Sequence, residues 1–216
     1  MPNGRTTTPI APGLSPRDER RFWEGLEVTT RFFMGQANVQ RALEKLVAAL
    51  EAQGIPYAIV GALALNEFGY QRATVDVDVL LTPDGLQAFK AAHLGRGFVE
   101  RSLGGRGLRD VENGVDIDVL LTGGYPGDGK PKPVVFPDPA LVAERGSRVA
   151  LLPLPRLVEL KLASGMTAPH RLKDLADVQE LIRAASLSRD LGAVLDPYVR
   201  DKYLELWQAV HEHPEE

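Results

Sequence analysis

YAIVGALALNEFGYQRATVDVDVLL, residues 57–81, reads as a strand, a glycine turn, a short helix, a loop and a second strand carrying two carboxylates. Side chains alternate faces along a strand, so Asp76 and Asp78 point one way while Val75, Val77 and Val79 point the other. Two carboxylates on one face repel each other. Holding them beside a buried sheet costs stability unless a cation or hydrogen-bond donors lie between them. The pair therefore reads as a metal-holding strand, against the plainer alternative of a wet face on an antiparallel edge.

Three neighbouring features favour the first reading. Ala58-Ile59-Val60 ends at Gly61 and opens directly into Ala62-Leu63-Ala64-Leu65. A strand that feeds a helix through glycine leaves free backbone N–H groups where a phosphate can sit. Arg72, just ahead of the acidic strand, offers a further phosphate donor. Finally, Val115-Asp116-Ile117-Asp118-Val119-Leu120-Leu121 supplies a second acidic pair with the same alternation.

Gly61 with its helix, the segment Arg72-Ala-Thr-Val-Asp76-Val-Asp78 and the later strand acid resemble the polymerase-beta-type nucleotidyltransferase superfamily. Within it, the chain is most similar to the abortive-infection toxin-like nucleotidyltransferases. Leu160-Lys161-Leu162 and Arg171-Leu-Lys173-Asp174-Leu-Ala-Asp177 follow in the order that group shows, so the likeness runs from about Ile55 to Arg183. The sequence departs from the pattern at Ala62, where the group usually has a second turn glycine.

The resemblance implies an α/β (α+β) fold: a small mixed twisted sheet flanked by helices, with a C-terminal helical annex. It implies transfer of a nucleoside monophosphate from a nucleoside triphosphate to an acceptor hydroxyl, with Mg²⁺ or Mn²⁺ as cofactor; RNA ends, a protein hydroxyl, an aminoglycoside-like small molecule and a second nucleotide are all open as the acceptor. An antitoxin protein would be a further partner. Two such ions about 4 Å apart can stabilise the attacking and leaving oxygens. On this likeness Asp76, Asp78 and Asp118 hold metal, and Asp118 also favours deprotonation of the acceptor. Gly61, Ala62 and Arg72 hold the triphosphate; Lys161 lies near it, and Asp174 orients it or the acceptor. Asp118 directly precedes an apolar pair, as the third acid of the group does, while Asp116 stays open as a solvated neighbour or second contributor. A catalytically degenerate nucleotide-binding or interaction protein of the same fold is the alternative, and a purely structural sheet with wet acids is a third.

At 216 residues the chain suits one domain, or one with a helical annex. A net charge of −4 provides no global basic field for nucleic acid, so any RNA contact must be local. The absence of cysteine excludes disulfides, thiolate zinc sites and cysteine nucleophiles, and fits a cytoplasmic protein. No apolar run approaches the roughly 18 residues of a membrane span, and the start lacks a signal-peptide core.

Residues 1–16, rich in Thr, Pro and Gly, read as a flexible arm. Residues 17–152 read as the core with N-terminal helices, and 153–216 as a C-terminal helical region packed on it. Ser15-Pro16 opens a helix running toward Phe33, and a second carries Val39, Leu43, Leu46, Val47 and Leu50 before Gly54-Ile55-Pro56 stops it. Thr82-Pro83-Asp84 caps a further helix, and the Asn113-Gly114 turn makes a hairpin into the second acidic strand. Gly124 to Lys130 has the spacing of a phosphate-binding loop. Pro131 excludes the helix such a loop requires, so the segment reads as a mobile surface loop near the acceptor. Arg171–Asp174 and Lys173–Asp177 have surface-pair spacing, and Asp177 is assigned to that plainer role. Leu172, Leu175, Val178 and Ile182 read as the apolar face of their helix. His211-Glu-His213 reads as a solvated end, not a ligand pair.

Overall fold

The computed structural model describes residues 38–146 and 148–212. The arm, the aromatic helix from Ser15 to Phe33 and His213 lie outside them. Residues 38–52 form helix α1, whose Val39, Leu46, Val47 and Leu50 are buried at helical spacing. Gly54 turns to φ +62° and Ile55 N donates to Leu50 O at 3.0 Å, closing the helix as its glycine predicts.

The chain continues through β1 (Tyr57–Ile59), α2 (Gly61–Glu67), β2 (Asp76–Leu81), α3 (Pro83–His93), β3 (Phe98–Glu100), β4 (Leu108–Asp110) and β5 (Val115–Leu121). It then forms α4 (Pro139–Val142), β6 (Glu144–Arg145), β7 (Ala150–Leu151), α5 (Leu154–Thr167), a 3₁₀ turn (Pro169–Arg171), α6 (Leu172–Ala184), α7 (Leu191–Val194) and α8 (Pro197–Glu212). The strands make one mixed sheet in the order β3-β4-β5-β2-β1-β7-β6. The two acidic strands β2 and β5 are parallel neighbours, and β1 runs antiparallel to β2 but parallel to β7. This is the mixed sheet flanked by helices that the sequence predicts. No helix among the described residues is long and apolar enough to cross a membrane.

Val77, Val79, Ile117 and Val119 are buried on the face opposite the acids. Val75 does not join them: the strand begins at Asp76, and Val75 sits in the preceding bend, 66% exposed. Thr82 caps α3 as expected, its Oγ1 accepting from Gly85 N at 3.0 Å. On α6, Val178, Leu181 and Ile182 face the core, whereas Leu172 is 65% exposed. Leu172 opens the helix, and two residues of helical rotation, about 200°, separate it from Asp174, which takes the inward position. Gly165 on α5 lets Leu175 approach closely; a Cβ there would stand 2.6 Å from Leu175 Cγ. On α8, Tyr203 is fully buried and its hydroxyl donates to Ser188 O, while His211 stacks on Trp207 at 3.7 Å.

Asp110 is a buried charge that belongs to the scaffold. Asp110, fully buried at the end of β4, accepts from Lys45 Nζ on α1 at 2.6 Å, from Asn113 Nδ2 at 2.5 Å and from Glu112 N at 3.1 Å. Burial pushes its carboxyl up, but these donors outweigh burial and hold it below the usual range. A depressed carboxylate adds stability above its unfolded pKa, near 3.9, that is lost as pH falls through the folded value. Asp110→Ala should therefore cost about 1–3 kcal/mol at pH 7 in urea unfolding. The difference from wild type should shrink as pH drops below about 4.

Candidate active site

The register of β2 and β5 builds one wall of a cleft. Asp76 lies beside Asp116 and Asp78 beside Asp118, so four carboxylates share one face of the sheet. Gly61 sits against this row at the start of α2, with φ +62°, a conformation glycine adopts at little cost. A Cβ there would overlap Asp78 Oδ2, so glycine is required twice, by backbone and by space. Val60 N donates to Asp78 O at 3.1 Å and fixes the strand–helix junction. Ala62 is buried in the next position, and α2 has no side-chain cap over its first N–H groups. Burial, reinforced by the charges of Asp76 and Asp118, pushes Asp78 up to about 6, although Lys161 and Arg171 pull the other way. Thr74 Oγ1 donates to Asp76 Oδ1.

The facing wall comes from α5 and α6. Lys161, buried on α5, donates to Asp174 Oδ1 at 3.1 Å and Asp177 Oδ2 at 2.6 Å. Asp174 also accepts from Ser164 Oγ at 2.7 Å and Arg171 Nε at 3.0 Å. Burial raises the Asp174 carboxyl, but Lys161, Ser164 and Arg171 together hold it below the usual range. Arg72, ahead of β2, reaches Asp177 Oδ2 at 2.7 Å. The plain surface role assigned to Asp177 is therefore corrected. It is buried, and it ties Lys161 to Arg72 in place of a pair with Lys173, which has no ion pair among the described residues. Its partner Arg72 lies 105 residues away in sequence, so i,i+4 spacing could not find it.

Asp76, Asp78, Asp118, Gly61, Ala62, Arg72, Lys161 and Asp174 all line this one cleft, of about 190 Å³. Asp116 does not; it faces outward to Arg109 Nη1 at 2.5 Å and Arg101 Nη1 at 3.5 Å. Pro126 and Gly127 close one end, and a Cβ on Gly127 would stand 2.8 Å from Ser164 O on α5. The glycine-rich segment read as a mobile loop is thus held in place. Lys132 Nζ donates to Pro126 O and Asp128 Oδ1, both at 2.6 Å, and across its base Gly123 N donates to Phe136 O and Phe136 N to Gly124 O. Sequence reading also missed Ser164 and Arg101, whose contacts bear on the site.

Asp76, Asp78 and Asp118 are hard oxygen donors of the kind Mg²⁺ takes, and no described residue donates a hydrogen bond to the Asp78 carboxylate. The side-chain oxygens of this donor set fit such a cation in kind. Among the described residues, no three acidic or imidazole groups already stand together in ligand geometry. Asp118 turns instead to Arg101, at 2.9 Å.

No protein-family model matches the chain, and no curated protein matches it. Among solved structures, it is similar to the solution structure of the antibiotic-resistance factor ANT(2'')-Ia, with a TM-score of 0.48 and 16% identity over 86% of this chain and 99% of that one. The crystal structure of ANT(2'')-Ia with adenylyl-2''-tobramycin gives a TM-score of 0.48 at 14% identity, covering 80% of this chain and 97% of that one. A Helicobacter pylori protein described as a candidate nucleotidyltransferase gives 0.45 at 16%, covering 83% and 96%. These likenesses are partial, and the chemistry of the site rests on its own geometry.

The contact between Gly61 and Asp78 can be tested by a double-mutant cycle in urea. Gly61→Ala is expected to cost more than about 1 kcal/mol, from left-handed strain plus overlap. In an Asp78→Ala background the cost should fall, because the overlapping carboxylate is gone while the strain remains. Equal costs in both backgrounds would show that the two groups do not touch.

Proposed function

We propose that this chain is a metal-dependent nucleotidyltransferase that moves a nucleoside monophosphate from a nucleoside triphosphate to an acceptor hydroxyl. One observation carries the reading: Asp78 is wedged against Gly61 where a wall of carboxylates meets a wall of cations across a single cleft. A polyphosphate needs cationic groups along its length, and phosphoryl transfer needs charge neutralised at the reacting phosphorus. Asp76, Asp78 and Asp118 would hold Mg²⁺ or Mn²⁺, which when bound supplies Lewis-acid neutralisation there.

The protein's own groups do the rest by position. Lys161 has three ammonium hydrogens, two of them committed to Asp174 and Asp177, and it offers the third to the triphosphate. Asp177 fixes Arg72 beside it, and Arg171 and Lys173 extend the cationic wall. The first turn of α2, at Gly61 and Ala62, approaches the phosphates with backbone. Asp118 accepts the acceptor's proton as the new O–P bond forms and pyrophosphate departs. The acceptor is a hydroxyl of RNA or of a small molecule. A toxin-like role with an antitoxin partner is carried by the sequence resemblance alone, and a cytoplasmic site of action by the absence of cysteine. The alternative, a nucleotide-binding protein without transfer, is favoured by the pairing of Asp118 with Arg101.

The test is thermal unfolding of wild type and Asp78→Asn with each ribonucleoside triphosphate, with and without Mg²⁺, each shift taken from that variant's own ligand-free midpoint. At about 100 times its dissociation constant, a ligand specific for the folded state adds about 2.7 kcal/mol. The expected result is a Mg²⁺-dependent rise with at least one triphosphate that Asp78→Asn abolishes. Pyrophosphate release on adding an acceptor separates transfer from binding alone. An equal rise in both proteins would falsify the assignment.

A further inference from the structure

Arg101 follows directly on β3, and the chemistry proposed above does not use it. Val99 pairs with Arg109 and Arg109 with Asp116, so alternation from Val99 puts Arg101 on the carboxylate face. Its place is built from below. Buried Lys90 donates to Glu100 Oε1 at 2.6 Å and Gly105 O at 2.5 Å, Glu100 Oε2 accepts from Gly104 N at 2.9 Å, and Arg101 N donates to Gly107 O at 3.0 Å. Gly107 leaves the path open, since a Cβ there would stand 3.0 Å from Arg101 Nε. The guanidinium then lies 2.9 Å from Asp118 Oδ1 and 3.5 Å from Asp116 Oδ2. Asp116 has Arg109 as a second partner; for Asp118, Arg101 is the one ion-pair partner among the described residues.

We propose that Arg101 is a resident counter-ion that competes with the divalent cation for Asp118, so that loading the site requires the guanidinium to leave. This rests on reading Asp118 as a cation ligand. A carboxylate oxygen that accepts from a guanidinium meets a small dication only by placing two positive charges side by side. Exchange relieves that repulsion. Arg101 is thus a positioning residue that sets how tightly the cation binds and holds Asp118 when none is bound.

Mn²⁺ alone, without nucleotide, is the probe, with free Mn²⁺ followed by paramagnetic resonance at low salt. Arg101→Gln is expected to bind Mn²⁺ about two- to five-fold tighter than wild type, the size of a half-exposed ion pair. Arg101→Lys, which keeps the charge but loses the planar fork, should fall between them. Arg109→Gln, which removes an equal charge from Asp116, should move the affinity less. In an Asp118→Asn background, Arg101→Gln should change nothing. Unchanged or weaker binding in Arg101→Gln, or an equal gain in Arg109→Gln, overturns the inference. If Mn²⁺ binding is absent, or is indifferent to Asp78→Asn, the functional reading falls as well. If it depends on Asp78 but not on Arg101, only this inference falls.

Discussion

Parallel, in-register pairing of β2 with β5 sets the electrostatic problem that the rest of the site answers. Neighbouring strands lie about 4.8 Å apart, so this register stacks Asp76 on Asp116 and Asp78 on Asp118 at a spacing where like charges repel strongly. Cations reach the row from both ends. Arg101 and Arg109 come from the β3–β4 side, and Lys161 and Arg171 from the helices. Neutralisation is uneven along the row: Asp116 has two arginines and Asp118 has one, while Asp78 has no ion-pair partner among the described residues, and burial, with the charges of Asp76 and Asp118, pushes it up to about 6. Asp78 is also the carboxylate pressed against Gly61.

The helical wall obeys a different constraint. Lys161, Asp174 and Asp177 are buried, and buried ion pairs give back little of what desolvation costs. Their arrangement makes more sense as orientation than as stability. Two carboxylates immobilise one ammonium group, Ser164 and Arg171 immobilise one of those carboxylates, and Arg72 the other. Gly165 contributes by letting α6 come close enough for this network to close.

Much of the sheet wall was legible because its information is local. Alternation in 76–81 and 115–121 marked the acidic faces, glycine marked the β1–α2 turn, and Thr82-Pro83 marked a helix start. Alternation failed only at Val75, where the strand had not yet begun. The helical wall was harder to read, since Asp177 gains its meaning from Arg72 and Lys161, partners set by tertiary packing and not by helical spacing. Leu172 misled for a related reason: period alone does not say which of two polar and apolar stripes turns inward when the polar stripe has buried cations to meet. Arg101 was within reach, because the same alternation that revealed the aspartates also runs from Val99 to Arg101. Its significance depended on knowing that β4 lies beside β5.

The two walls are joined by a short covalent path. β7 pairs with β1, and only Leu152 and Pro153 separate it from α5, which carries Pro155 in its first turn. Each proline fixes one backbone torsion, so this junction has few ways to bend. The separation between carboxylates and cations is therefore set by bond geometry at a stiff elbow as well as by side-chain packing. Ligands of different bulk would have to be accommodated elsewhere, at the Pro126–Gly127 end or by the side chains along the rim, while the spacing between the two walls stays constant.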